Sequence, residues 1–132
     1  MKVGELMRSP VVTVSKNDTV ARARNLMLRE MVSRLVVVEG NSPTGILTKK
    51  DLVRDLASYK MRNRELDSIM VLEIMRTPVK VIQESASVEE AAKAMVKANI
   101  RGLPVVDSGG SLVGIITKTD ITSYYLQTQK GA

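Results

Sequence analysis

The sequence predicts a mixed α/β (α+β) fold of two pseudo-symmetric β-α-β-β-α repeats packed as one compact domain. Two stretches that occur twice carry this prediction. Residues 6–11 (Leu-Met-Arg-Ser-Pro-Val) return as residues 74–79 (Ile-Met-Arg-Thr-Pro-Val), and residues 45–51 (Gly-Ile-Leu-Thr-Lys-Lys-Asp) return as residues 114–120 (Gly-Ile-Ile-Thr-Lys-Thr-Asp). The spacing between the two copies is one residue longer for the second stretch than for the first. This difference places a one-residue insertion in the turn over residues 107–111.

The elements of each repeat follow from local patterns. A β-branched run over residues 11–14 predicts the first strand, and Thr19 then precedes apolar residues at helical spacing as an N-cap. In the second repeat the matching helix is expected to begin at Ser87, which forms a capping-box pattern with Glu90. Two apolar runs in each repeat predict strands before a second helix: residues 35–38 and 45–47, then 103–106 and 114–116.

The repeats are expected to span residues 1–60 and 72–132. Between them, over residues 61–71, Leu66, Ile69 and Met70 recur at helical spacing and predict an amphipathic connecting helix. No stretch approaches the about 18 consecutive apolar residues of a membrane span, and the first residues do not lead into an apolar signal core. We therefore expect a cytoplasmic protein with no membrane partner.

The composition argues against an enzyme. The chain has no Cys and no His, which excludes thiolate chemistry and removes the commonest general base and metal ligand. No nucleophile and base pair is recognisable, so no catalytic and no metal-binding residues are predicted. The net charge is +6, with a basic excess over residues 49–64 that favours an anionic partner such as phosphate or, alternatively, forms a solvated helix face. Nucleic acid is the weaker interpretation, because Phe and Trp are absent.

A Thr-x-x-Asp pattern follows the last strand of each repeat. Asp51 and Asp120 open a helix, where a carboxylate can accept hydrogen bonds from the two hydroxyls of a ribose. Thr48 and Thr117 lie beside the same helix N-termini, which favour an anionic phosphate. The pattern is also a capping signature, so spacing alone leaves helix capping and ligand binding open.

Three motifs now resemble a known family: Met-Arg-Ser-Pro-Val before the first strand, residues 100–107 (Ile-Arg-Gly-Leu-Pro-Val-Val-Asp), and the two Gly-x-x-Thr-x-x-Asp stretches. Over nearly the whole chain they resemble a tandem pair of cystathionine-β-synthase (CBS) domains, a Bateman module. The resemblance implies a non-catalytic regulatory module, without a cofactor, that binds AMP, ADP or ATP in clefts between the repeats. S-adenosylmethionine and NAD share the same adenosine and fit the same expectation.

The resemblance also implies a homodimer that signals to a separate effector protein. The alternative function is a nucleic-acid or acidic-protein adaptor that uses the central basic segment. In the family, each cleft combines the Thr and Asp of one repeat with the first-strand edge of the other. One candidate site is Thr48, Lys50 and Asp51 with Val79, Val81, Ile100, Arg101 and Gly102; its pseudo-twin is Thr117, Thr119 and Asp120 with Val11, Thr13, Val32, Ser33 and Arg34.

The two sites are expected to be unequal, because Gly102 in one is matched by Arg34 in the other. Glycine permits close approach of a ligand, which predicts that the Asp51 site is the more open one and binds a nucleoside better. Arg8 and Arg76 occupy matching positions two residues before a proline. They are candidates either for phosphate contacts or for covering the boundary between the repeats.

Overall fold

A computed structural model describes residues 1–57 and 64–131 of the chain. We call residues 1–11 and 72–79, which precede the first strand of each repeat, the two leaders. The first leader and the first repeat contain α1 (Val3–Leu6), β1 (Thr13–Val14), α2 (Val20–Glu30), β2 (Arg34–Glu39), β3 (Ser42–Thr48) and α3 (Lys49–Leu56). Two 3-10 helices follow, at Leu66–Ser68 and Val71–Glu73. The second repeat contains β4 (Ile82–Gln83), α4 (Val88–Ala98), β5 (Gly102–Val106), β6 (Leu112–Thr117) and α5 (Lys118–Gly131).

Each repeat forms its own three-stranded mixed sheet. In the first, β1 is parallel to β2 and β2 is antiparallel to β3. In the second, β4, β5 and β6 have the same order and directions. Parallel neighbours need a crossover connection, which α2 and α4 supply, whereas the antiparallel neighbours are joined by short turns. The predicted fold class and the β-α-β-β-α order are confirmed.

The predicted caps of α2 and α4 are confirmed as well. Thr19 accepts the backbone N–H of Arg22, and Ser87 accepts that of Glu90. Both helices end one residue further on in the left-handed conformation, at Met31 with φ 55° and at Asn99 with φ 54°. The two helices therefore start alike and end alike, although a methionine occupies one of the two strained positions.

The connecting segment differs from the prediction. Residues 58–63 of the expected helix lie outside the described residues, and over residues 64–71 the structure has a 3-10 helix and extended backbone instead of an α-helix. Ile69 and Val71 are fully buried. The Ile69 carbonyl accepts the N–H of Val20, and the Val71 N–H donates to the Asp18 carbonyl. The segment therefore packs against the start of α2 through backbone groups that an α-helix would have used internally.

Tertiary contacts group the chain into two compact units. The first-repeat unit is Val12–Val79, and the second-repeat unit is Met1–Val11 together with the chain from Lys80 onward. The boundaries of these units differ from those of the predicted domains, 1–60 and 72–132. The reason is that each unit includes the leader of the other repeat. The expected packing of both repeats as one compact domain stays a prediction. Each unit has its own apolar core, centred on Leu35, Val37 and Leu47 in one, and on Leu103, Val105 and Ile116 in the other.

Candidate functional site

The Thr-x-x-Asp pattern of the first repeat forms a reciprocal cap where β3 passes into α3. The Asp51 backbone N–H donates to Thr48 Oγ1 over 3.1 Å, and the Thr48 backbone N–H donates to Asp51 Oδ2 over 3.3 Å. Together these bonds satisfy two backbone donors that the start of a helix leaves free. The capping role of both residues is therefore confirmed, and the cap fixes where the carboxylate points.

The second repeat builds the same cap between β6 and α5. Thr117 donates its backbone N–H to Asp120 Oδ2 over 2.9 Å and its hydroxyl to the same oxygen over 2.8 Å. In return, Thr117 Oγ1 accepts the Asp120 backbone N–H over 3.2 Å. In both repeats, Oδ2 serves the cap and Oδ1 is left for other partners.

Two guanidinium groups occupy Oδ1 of Asp51. Arg76 Nε donates to this oxygen over 2.7 Å, and Arg54 Nη2 donates to it over 2.9 Å. The Asp51 side chain is only 1% exposed, whereas those of Arg54 and Arg76 are 58% and 53% exposed. A buried carboxylate therefore lies beneath two arginines that reach into solvent. We call Thr48, Asp51, Arg54 and Arg76 the Asp51 half-site.

One guanidinium occupies Oδ1 of Asp120. Arg8 Nε donates to it over 2.8 Å, and the side chains of Arg8 and Asp120 are 72% and 6% exposed. The position that matches Arg54 is Ser123, an exposed residue of α5. We call Thr117, Asp120, Arg8 and Ser123 the Asp120 half-site. The two half-sites share their scaffold and differ in Arg54, whose Nε also donates to Asp55 Oδ1 over 3.2 Å.

The environment of Asp51 stabilises its charged form. Burial by itself raises the pKa of this carboxyl, but hydrogen bonds from Thr48 and Arg76 and the positive charge of Arg76 outweigh burial. The net result is a pKa below the ordinary value of 3.8. Asp51 is therefore a carboxylate at neutral pH and acts as a hydrogen-bond acceptor.

A short leader brings each arginine to its aspartate. The Arg76 N–H donates to the Ile46 carbonyl over 2.9 Å, and the Ile46 N–H donates to the Arg76 carbonyl over 3.2 Å. Arg8 and Ile115 exchange the same two bonds at 2.9 Å and 3.0 Å. The two repeated motifs thus meet, since the Met-Arg leader of one repeat adds to the last strand of the other.

The glycine of each Gly-x-x-Thr-x-x-Asp stretch makes room for this leader. A Cβ atom at Gly45 would lie 3.0 Å from the sulfur of Met75 and 3.1 Å from the Arg76 carbonyl. At Gly114 a Cβ atom would meet the Met7 sulfur and lie 3.0 Å from the Arg8 carbonyl. The motif therefore holds a docking glycine, a capping threonine and the aspartate in one stretch of seven residues.

The predicted site residues are distributed over both units. The first-repeat unit contains Thr48, Lys50, Asp51, Val79, Thr13, Val32, Ser33 and Arg34, and the second-repeat unit contains Thr117, Thr119, Asp120, Val11, Val81, Ile100, Arg101 and Gly102. Both predicted sites thus draw on both units. Val79 shares a unit with Asp51, and Val11 shares one with Asp120.

Within each unit, the first strand of the hairpin begins beside the helix cap. The Lys49 N–H donates to the Ser33 carbonyl over 2.8 Å, and Arg34 is paired with Thr48 in the sheet. In the other unit the Lys118 N–H donates to the Arg101 carbonyl over 2.8 Å. From the sequence, we expected the Ser33 segment to lie in the site of Asp120 and the Arg101 segment in the site of Asp51. That grouping joins residues of different units and stays a prediction.

Among the residues of the two half-sites, the arginines are those whose partners the sequence predicted least well. Arg8 and Arg76 were candidates for phosphate or for the boundary between repeats, and in the structure each pairs with the aspartate of its own unit. Arg54 belonged to the basic excess over residues 49–64, for which an anionic partner and a solvated helix face were both open. Its spacing three residues after Asp51 on a helix is the signal that could have found the pair.

The described residues contain neither a candidate metal site nor a membrane-spanning helix. Among residues 1–57 and 64–131, no group of three His, Cys, Asp or Glu side chains is arranged to hold a metal ion. Within the same residues, no helix combines the length and the hydropathy needed to cross a membrane.

Curated relatives match most of this chain but contain additional sequence. The chain is 37% identical over 122 residues to the Methanopyrus kandleri protein MK0525, covering 92% of this chain and 61% of that protein. It is 34% identical over 111 residues to the inosine-5′-monophosphate dehydrogenase of Korarchaeum cryptofilum, covering 84% of this chain and 21% of the enzyme. The chain thus spans less than two thirds of the first protein's length and about a fifth of the second.

Solved structures of similar fold include ligand complexes. The CBS domain pair of protein MJ0100, in complex with 5′-methylthioadenosine and S-adenosyl-L-methionine, has a TM-score of 0.85 and 27% identity over 97% of this chain and 98% of that chain. CBSX2 in complex with AMP has a TM-score of 0.80 and 27% identity over 97% and 98%. The CBS domain family model matches residues 3–58 and again residues 71–127. This chain therefore belongs to the CBS domain family, as a pair of CBS domains.

Proposed function

We propose that this chain is a non-catalytic regulatory module that binds an adenosine-containing ligand at the Asp51 and Asp120 half-sites. The observation that carries the proposal is the repeated placement of a buried carboxylate. In both repeats the Thr-x-x-Asp cap fixes Oδ2, and among the described residues Oδ1 accepts hydrogen bonds only from exposed arginine side chains. A ribose with two neighbouring hydroxyls supplies donors of the kind that such an oxygen accepts.

The ligand class follows from the family and from these residues together. Similar CBS pairs were solved with AMP, with 5′-methylthioadenosine and with S-adenosyl-L-methionine, all of which contain adenosine. In this chain, AMP, ADP and ATP are the first candidates, because arginines at both half-sites supply cations for a phosphate. S-adenosylmethionine and NAD are the second candidates. Val79 and Val11, in the two leaders, are proposed to border the adenine ring.

A regulatory role requires that another molecule respond to ligand binding. A ligand shifts an equilibrium only by its unequal affinity for two states, so we propose that occupied and empty modules differ in their affinity for a partner. The proposed partners are a second copy of this chain, forming a homodimer, and an effector polypeptide. Matching segments occur inside a larger enzyme, which supports an effector of that kind. The proposed location is the cytoplasm, where adenine nucleotides are abundant.

Thermal unfolding with a ligand panel tests the proposal. The panel is AMP, ADP, ATP, S-adenosylmethionine, NAD and a short RNA, applied to the wild type, Asp51→Ala and Asp120→Ala. A ligand at about 100 times its dissociation constant adds roughly 2.7 kcal/mol, a shift of several degrees for a domain of this size. We expect at least one adenosine compound to raise the melting temperature and an Asp variant to lose part of that shift.

The competing function is an adaptor for nucleic acid or an acidic protein. It would use the basic residues around α3, of which Lys49, Lys50 and Arg54 are exposed. Binding of RNA that falls steeply with salt and ignores AMP would support the adaptor and contradict the proposal. The absence of any shift with all adenosine compounds would reduce both aspartates to helix caps.

A further inference from the structure

The two crossover helices, α2 and α4, expose an aliphatic side chain at the same position of the repeat. Leu28 on α2 is 67% exposed, and Val96, which holds the matching position on α4, is 83% exposed. Ala92 lies one turn before Val96 on the same face of α4 and is half-buried. α5 packs against α4 and exposes Tyr125 and Leu126. Covering these apolar side chains with a second protein surface would remove them from water, which is favourable.

The charged residues around this position differ between the two helices. α4 carries Glu90 and Lys97, whereas α2 carries Arg22 and Arg29 at the matching positions. Both arginines pair with a carboxylate of their own unit, over 3.7 Å and 3.6 Å. Among residues 1–57 and 64–131, neither Glu90 nor Lys97 forms an ion pair. The α4 face therefore presents one unpaired charge of each sign, on an acidic first turn and a basic last turn.

This arrangement of charges on α4 is complementary to itself. A twofold interface brings the same surface of two copies together, so each contact occurs twice. When two α4 helices lie antiparallel across a twofold axis, Glu90 of each copy faces Lys97 of the other. In that register Val96 lies against Ala92 of the second copy, a residue small enough to leave room for it. Both polar contacts are then attractive, and the exposed aliphatic side chain is covered.

The α2 helix does not offer the same complementarity. Two antiparallel α2 helices would place Arg22 of one copy opposite Arg29 of the other, and this repulsion would occur twice. A mixed pair of α2 and α4 would combine one attractive contact with one repulsive contact. Charge therefore favours the pairing of α4 with α4 over both alternatives, although Leu28 and Val96 are similarly exposed.

We propose that the exposed face of α4 is a dimer interface, on which α4 of a second copy of this chain packs antiparallel. Tyr125 and Leu126 of α5 extend the apolar part of the interface, since one helix pair alone would bury little area. This inference rests on the proposed function, because it names the surface that forms the homodimer proposed there. The matching face of α2 lies outside the interface.

Disulfide trapping tests the interface directly, because the chain contains no Cys. Lys93 is exposed and lies between Glu90 and Lys97 on the same face of α4, so its two copies approach each other near the twofold axis. Asn25, the matching exposed residue of α2, provides the control. We expect Lys93→Cys to form a covalent dimer roughly tenfold faster than Asn25→Cys, because an interface raises the effective concentration of the two thiols. Equal rates, or a faster reaction of Asn25→Cys, would overturn the proposal.

Exchange of the two charges tests the register. The dimer dissociation constants of the wild type, Glu90→Lys, Lys97→Glu and the double variant are measured by sedimentation equilibrium, and melting curves verify folding. Each single change should weaken the dimer by about tenfold, because an attractive contact becomes repulsive on both sides of the axis. The double variant exchanges the two signs and should regain the wild-type affinity. A double variant that stays as weak as the single variants would contradict the antiparallel register.

The outcomes separate the interface from ligand binding, since dimerisation is measured without a nucleotide. A folded wild type that sediments as a monomer at all concentrations overturns the interface and the proposed homodimer, and adenosine-dependent thermal shifts would then still support the ligand site. Trapping of Lys93→Cys together with rescue in the double variant supports the interface. It does so even where no adenosine compound shifts the melting temperature and the ligand-binding part of the proposed function fails.

Discussion

The two half-sites have nearly the same scaffold and different electrostatics. Both have a strand that ends in a capping threonine, an aspartate in the first helical turn, and an arginine delivered by a leader. In the part of the chain that the structure describes, only Asp51 pairs with a second arginine, because α3 carries Arg54 where α5 carries Ser123. The two repeats therefore share the backbone that positions a carboxylate. A difference at one exposed position, Arg54 against Ser123, makes the surroundings of the two carboxylates unequal.

The largest expected difference between the half-sites is in stability after removal of the aspartate. Asp51→Ala should lower the free energy of unfolding by about 3 kcal/mol, because it removes a helix cap and two charge-assisted hydrogen bonds. Asp120→Ala removes the cap, the bond from Arg8 and the bond from the Thr117 hydroxyl, and should cost about 2 kcal/mol, because a neutral hydroxyl donor contributes less than a second guanidinium. Urea unfolding measures both. Equal losses would show that Arg54 adds nothing to the Asp51 half-site.

The next difference concerns the docking of the two leaders. Gly114→Ala should destabilise the chain by about 1–3 kcal/mol, because the new Cβ atom meets the Met7 side chain and the rigid Arg8 carbonyl. Gly45→Ala should cost less, about 1 kcal/mol, since its neighbours lie slightly further away. Thermal unfolding checks the order. Hydrogen exchange should show faster exchange of the Arg8 amide in the first variant and of the Arg76 amide in the second.

Acid should weaken the Asp51 half-site. The pKa of Asp51 is lowered in the folded chain, so its contribution to stability is present above the ordinary value of 3.8 and is lost as the pH falls through the lower folded value. Stability of the wild type should therefore decline below about pH 4, and the decline should be shallower in Asp51→Asn. Urea midpoints at several pH values between 2 and 6 provide the measurement. An unchanged decline in Asp51→Asn would assign the acid sensitivity to other carboxylates.

The smallest expected effect lies at the ends of α2 and α4. Met31 has a left-handed backbone and is 90% exposed, while Asn99 holds the matching position. Asparagine tolerates this conformation better than methionine, so Met31→Asn should stabilise the chain by about 0.5–1 kcal/mol. The mirror variant Asn99→Met should destabilise it by a similar amount. Melting temperatures that move in the same direction for both variants would contradict this explanation.

Local features of the fold could be predicted from the sequence. Strand runs, the Thr19 and Ser87 caps and the Thr-x-x-Asp caps depend on residues within four positions of each other, and the structure contains all of them. The amphipathic spacing over residues 64–71 was misleading. Its apolar residues are buried, but they pack from a 3-10 and extended backbone because the Ile69 and Val71 backbone groups bond to the start of α2.

Non-local contacts of the candidate site could not be predicted in the same way. The sequence shows that Arg8 and Arg76 recur, but their pairing with Asp120 and Asp51 depends on each leader joining the last strand of the other repeat. Likewise, the expectation of a more open Asp51 site came from Gly102, which lies in the other unit, and it stays a prediction.

Adenosine titration of the two alanine variants tests the central claim most directly. It asks whether the two aspartates bind a nucleoside. We predict that the folded wild type binds adenosine and that at least one of Asp51→Ala and Asp120→Ala loses a binding site. Adenosine binding that is unchanged in both folded variants would contradict the account and leave the aspartates as helix caps.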